Sequence, residues 1–164
     1  MKRYIWFAIS LVAAAGLQGN LPASISIWGG KPDLLLVVLI AYALAADPAT
    51  GAAMGFVTGL IHGSAVGLAL GSFIVTRTIV GFLAGLVTSR LFSQNPIVPM
   101  LSAAWLTFVS EGLFLLANPR PNLVLVAGRI GGECISNAFL TLLLYWVMRF
   151  LDNRRKIKLV DARI

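Results

Sequence analysis

The chain alternates between long apolar runs and short polar breaks, and the breaks mark out the elements. Residues 4–17 are apolar, follow Lys2 and Arg3, and stop at Gln18-Gly19-Asn20. The stretch to Lys31, LPASISIWGGK, has no period and reads as an irregular interfacial loop. Pro32 takes the favoured first-turn position of a second run, 33–46, which Asp47-Pro48 ends. From Thr50 to Arg90 the chain stays apolar for about 40 residues, about 60 Å of helix and twice the thickness of a bilayer core. It must fold back on itself. His62-Gly63-Ser64 is the most polar point near its middle, so the expected turn lies there, between helices 49–62 and 67–90. Asn95-Pro96 and Pro99 open a fifth run, 97–117. Asn118-Pro119-Arg120-Pro121-Asn122 is a turn, and the sixth run, 123–150, leads into a basic tail, 151–164. The pattern predicts an all-α polytopic membrane protein with six transmembrane helices in one domain, 1–150.

Gly51, Gly55, Gly59, Gly63, Gly67 and Gly71 fall on a beat of four. An interior glycine costs a water-soluble helix roughly 0.5–1 kcal/mol relative to alanine. In lipid, small residues four apart let helix backbones approach closely. Successive steps of four drift by about 40° on a 3.6-residue helix, so one straight helix would scatter these glycines. Split by the turn, Gly51, Gly55 and Gly59 form one stripe. Gly67, Gly71, Thr78, Gly81, Gly85 and Ser89 form another on the next helix. Gly51, Gly55, Gly59, Gly67, Gly71, Gly81 and Gly85 are therefore the expected helix-packing positions.

Composition agrees with a membrane setting. The 164 residues are 59% hydrophobic and 12% charged, with a mean hydropathy of +0.89. Soluble domains carry about 25% charged residues. Apolar runs recur to the C-terminus, so a cleaved leader on a soluble protein does not account for them. The net charge of +7 is unevenly placed. With the N-terminus inside, that side collects Lys2, Arg3, Arg90, Arg149, Arg154, Arg155, Lys156, Lys158 and Arg163, against Lys31 and Arg120 opposite. This is the positive-inside pattern, and it puts both termini in the cytoplasm. The charge then reflects topology and lipid headgroups, and nucleic-acid binding is not expected. At most the tail touches anionic lipid or a cytoplasmic partner.

Arg77, Glu111, Arg129 and Glu133 lie within the runs, all in the outer half of the bilayer counted from the loops. Arg129, Glu133, Ser136 and Asn137 share one face of the sixth helix. Charges in lipid face the bundle interior and find partners. The cluster of Arg77, Glu111, Arg129, Glu133 and Asn137 reads either as a polar pocket that binds a ligand or relays protons, or as interhelical ion pairs, Arg77 with Glu111 for example. Balanced signs favour the ion pairs. Pro32 and Asp33 read as helix caps. His62 reads as a turn residue at the membrane surface. Trp6, Trp28, Trp105 and Trp146 read as interfacial anchors rather than as a stacking site. Cys134 and His62 are each the single residue of their type, so no disulfide framework and no Cys or His metal cluster is expected. No phosphate loop and no nucleophile with a paired acid is present. The chain reads as non-enzymatic and without a cofactor.

Pro32-Asp33-Leu34-Leu35-Leu36 opening the second helix, the hairpin GFVTGL…GLALG, then VGFLAGL and Asn95-Pro96, resemble the rod shape-determining protein MreD family. Glu111 in the fifth helix and Asn137 ahead of LLLYWVMRFLD in the sixth fit the same pattern. Where many relatives carry an aspartate in the hairpin turn after GL, this chain has His62-Gly63. The resemblance implies a subunit of the bacterial machinery that builds lateral-wall peptidoglycan, in the inner membrane. It would bind MreC and associate with RodA, a class B penicillin-binding protein and MreB filaments. It also implies a fold similar to the substrate-binding subunits of energy-coupling-factor vitamin transporters, with Pro32, Asp33, Glu111 and Asn137 serving architecture. Such a transporter subunit is the alternative function. Those subunits carry an Ala-x-x-x-Ala patch on the first helix. Here Val12 follows Ala8 and the alanines cluster at Ala13-Ala14-Ala15, which speaks against that docking. An unrelated channel finds no selectivity filter or charge ring.

Overall fold

The structure, a computed structural model, describes residues 2–91 and 97–161, with side chains for 3–87 and 97–150. Asn95 and Pro96 lie outside the described residues, as do the side chains of Ser89, Arg90 and the basic residues after 150. Among the described residues there are six α-helices: α1 (Lys2–Gln18), α2 (Leu34–Ala43), α3 (Pro48–Val66), α4 (Leu70–Leu91), α5 (Ile97–Ala117) and α6 (Leu123–Asp161). Four segments, Pro48–Val66, Leu70–Val87, Ile97–Ala117 and Leu123–Phe150, are long and apolar enough to cross a membrane. α1 and α2 are shorter than that, and α2, at 10 residues, extends only about 15 Å. The helix covers ten of the fourteen residues expected for the second run, 33–46. Its end, past Ala43, is a turn that leads to Asp47. The sixth helix does not stop at 150 but continues through the basic tail to Asp161.

α2 is short because it is the centre. It is apolar all round, and every residue from Leu35 to Ala43 is buried, as expected of a helix enclosed on all sides. It touches each of the other five helices. The carbonyls of Ile40, Tyr42 and Ala43 accept from the amides of Leu44, Ala45 and Ala46 in the turn that follows. The Arg3 guanidinium of α1 donates to the carbonyls of Tyr42 and Ala45, placing a cation where the helix dipole favours one. Large apolar side chains face outward on the surrounding helices, among them Phe56, Val75, Leu101, Leu116 and Phe139. A lipid environment accounts for that exterior.

α3 and α4 form the closest pair. A Cβ on Gly51 would fall on the Gly81 carbonyl, and one on Gly55 on the Arg77 carbonyl. Gly59 faces Phe73 and Ile74, Gly85 faces Pro48, and Gly63 packs on Leu70. The turn lies further along than His62-Gly63-Ser64: α3 runs on to Val66, and Gly67 closes it with φ of 72° and an amide bond to the Gly63 carbonyl at 2.9 Å. Left-handed backbone is what glycine supplies there. Gly67 is thus a cap, and neither Gly67 nor Gly71 has an atom within 4 Å of its would-be Cβ. These two expected packing positions do not pack.

The segment before α2 is more ordered than an irregular loop. Trp28 and Gly29 have φ of 50° and 80°, and Ile27 and Gly30 exchange amide bonds at 2.9 and 2.8 Å. This tight turn presses on α6, where a Cβ on Gly132 would strike the Ile27 carbonyl and one on Gly30 the Arg129 carbonyl.

Candidate functional site

The N-terminus of α2 gathers polar side chains from every helix. Asp33 Oδ1 caps α2 by accepting from the Leu36 amide at 2.9 Å, and Oδ2 accepts from the Arg77 guanidinium of α4. Arg77 also donates to the Ser110 hydroxyl of α5. The Asp33 amide donates to Asn137 Oδ1 of α6 at 2.9 Å, and Asn137 Nδ2 donates to Thr107 Oγ1 at 3.3 Å. From α1, Gln18 accepts from the Leu34 amide at 2.7 Å and donates to the Pro32 carbonyl at 3.1 Å. His62 of α3 sets Nδ1 3.7 Å from Asp33 Oδ2 and stacks on Phe73, with ring centroids 4.3 Å apart. Asp33, Arg77, Ser110, Thr107 and Asn137 are all buried, so the cluster sits inside the bundle. Its chemistry is that of a lock: one carboxylate neutralised by one guanidinium, with neutral partners around it.

A cavity of about 300 Å³ opens beside this cluster, lined in part by Asp33, His62, Phe73, Arg77, Glu111 and Glu133. A smaller one, about 110 Å³, lies between Glu111, Arg120, Arg129 and Glu133. Among the described residues, no three His, Cys, Asp or Glu side chains come close enough to hold a metal ion.

The residues singled out in the sequence separate into two groups. Asn137, Pro32 and Asp33 come together at the start of α2, with Arg77. Glu111, Arg129 and Glu133 line the smaller cavity with Arg120. The pairing suggested between Arg77 and Glu111 is replaced by Arg77 with Asp33, which caps α2 as expected but does so inside the bundle. His62 is likewise buried within α3 and is not a turn residue at the surface. Trp6, Trp28, Trp105 and Trp146 are all exposed, and none lines these cavities. Sequence reasoning passed over Gln18, Thr107 and Ser110. The available signal was Arg77 itself, which requires an anion and further acceptors at its own depth.

The family model for rod shape-determining protein MreD matches residues 1–155 of the chain. No curated protein and no solved structure matches, so the expected likeness to vitamin-transporter subunits gains no support from either comparison.

Proposed function

The chain belongs to the MreD family of rod shape-determining membrane proteins, and on that premise we propose that it is a non-enzymatic subunit of the cell-wall elongation machinery. It lies in the bacterial inner membrane with all six helices embedded and both termini in the cytoplasm. There it binds MreC and organises peptidoglycan synthesis alongside RodA, a class B penicillin-binding protein and MreB filaments. The observation that carries this reading, beside the family match, is the cluster at Asp33. Side chains from α1, α4, α5 and α6 are hydrogen-bonded around the start of α2, with His62 of α3 packed beside them, which suits a rigid platform rather than a moving or reacting part. The uneven basic charge supports the orientation.

The test is purification from native membranes in mild detergent, with co-purifying proteins identified by mass spectrometry. Recovery of MreC together with RodA or the penicillin-binding protein is the expected result. Recovery of paired ATPases with a membrane coupling subunit would replace it with the transporter reading. A reporter fused after Ile164 should read as cytoplasmic, and a periplasmic signal would overturn the topology.

A further inference from the structure

The pairing of Arg77 with Asp33 leaves four charges beside it unassigned. Glu111 of α5, Arg120 in the turn after α5, and Arg129 and Glu133 of α6 surround the smaller cavity. No hydrogen bond or ion pair joins these four side chains to one another or to any other described residue. The larger cavity shares Glu111, Phe114, Arg120 and Glu133 with it, so the two adjoin, and Arg77 lines the larger one. Arg77 is only 2% exposed, and its Nε has no hydrogen-bond partner. A buried donor left unsatisfied is costly, and so are charges held apart at the depth of the helices.

The balance of signs decides what could fill the space. An anion alone would face two carboxylates, and a cation alone would face two guanidinium groups. A metal ion has no set of three ligands there. Two carboxylates and two guanidinium groups across an open volume match a ligand that carries both charges. Guanidinium forks fit the oxygens of a phosphate, and carboxylates accept from the three donors of a primary ammonium. We propose that Glu111, Arg120, Arg129 and Glu133 form a binding site for a headgroup-sized zwitterion, a primary ammonium joined to a phosphate. Arg77, with its unpartnered Nε, lines the adjoining larger cavity. Such a group could come from a phosphatidylethanolamine headgroup or from a free solute.

The full chain in mild detergent is heated with phosphoethanolamine, ethanolamine, inorganic phosphate, short-chain phosphatidylethanolamine or short-chain phosphatidylglycerol. Unfolding is followed by tryptophan fluorescence. At least one phosphoethanolamine-bearing probe should raise the midpoint saturably, while ethanolamine, phosphate and phosphatidylglycerol do not. A response to the lipid alone identifies the bilayer as source, and a response to both shows access from water; either supports the site. Arg120→Gln, at an exposed turn residue, and Glu133→Gln should each weaken the response about tenfold, the loss of one charge-assisted contact. The proposal is overturned if no probe acts, if either half of the zwitterion acts as well as the whole, or if both variants respond like the unaltered chain.

Discussion

Asp33 and Arg77, 44 positions apart in the chain, form a buried ion pair at the start of α2. Oδ1 of the same carboxylate caps the central helix, so one side chain fixes both where α2 begins and how α4 lies against it. The Arg77 carbonyl in turn lies where Gly55 of α3 must have no side chain. Ion pair, cap and helix contact are therefore one assembly.

Asp33→Asn keeps a competent cap and removes the charge, leaving Arg77 buried and unpaired. Breaking a buried pair on one side costs about 3–5 kcal/mol. Unfolding in detergent should show a loss of that order for Asp33→Asn and for Arg77→Met. The double variant, with no orphaned charge, should recover a large part of it. Additive losses in the double variant would rule out the pair as the lock.

Much of the fold was legible in the sequence because its signals were local. Pro32-Asp33 marks a helix start wherever it stands, and the glycine beat at 51, 55 and 59 marks a close helix contact. The turn after α3 lies beyond the most polar point because polarity does not mark a surface there. In a membrane bundle a histidine is as much at home against a buried carboxylate, and Gly67 with its positive φ carried the turn instead. The burial of Asp33 has no such signal, for a related reason. It stands at the end of a short helix, where an acid usually meets water. Here the brevity of α2 and the packing of five helices around it bury that end, a long-range fact with no local trace.

Glycines on the same beat should differ sharply in tolerance. Gly55→Ala drives a methyl into the Arg77 carbonyl and should separate α3 from α4. Gly71→Ala meets open space and should be neutral or stabilising by roughly 0.5–1 kcal/mol. Membrane-fraction levels and detergent melting of the two variants check this. Equal behaviour would mean that the close approach of α3 and α4 is not what the repeat provides.

Asn137 joins α6 to the α2 amide and to Thr107 of α5. Asn137→Leu strands the Asp33 amide and should cost about 1–3 kcal/mol. Adding Thr107→Val removes the second orphan, and the pair of changes should cost less than the sum of each alone. Strict additivity in that double-mutant cycle would show that the two side chains do not act as one contact.

Asp47, which precedes α3 and is exposed, gives the start of that helix a pH dependence. Hydrogen bonds from the Thr50 side chain and amide hold its carboxyl below the ordinary 3.8. A depressed carboxyl stabilises the folded helix end above its ordinary range and loses that effect as pH falls through the folded value. Amide protection at Thr50, corrected for intrinsic exchange, should drop in that acid window. In Asp47→Ala it should be low at all pH, and a parallel pH profile in both proteins would exclude the cap as the cause.

His62 tests whether the ring or its charge matters to the cluster. Its imidazole stacks on Phe73, which packs against Phe114 at 4.8 Å between centroids, while Nδ1 has no hydrogen-bond partner and stands 3.7 Å from Asp33. Packing therefore dominates the contacts of His62. His62→Phe keeps an aromatic ring on Phe73 and removes a buried polar nitrogen, so stability should change by less than about 1 kcal/mol. His62→Ala empties the ring's volume and should cost about 3 kcal/mol. If His62→Phe is instead as damaging as His62→Ala, the imidazole serves Asp33 electrostatically. The Asp33–Arg77 pair would then be a three-membered network, and Asp33→Asn should rescue part of the His62→Phe loss.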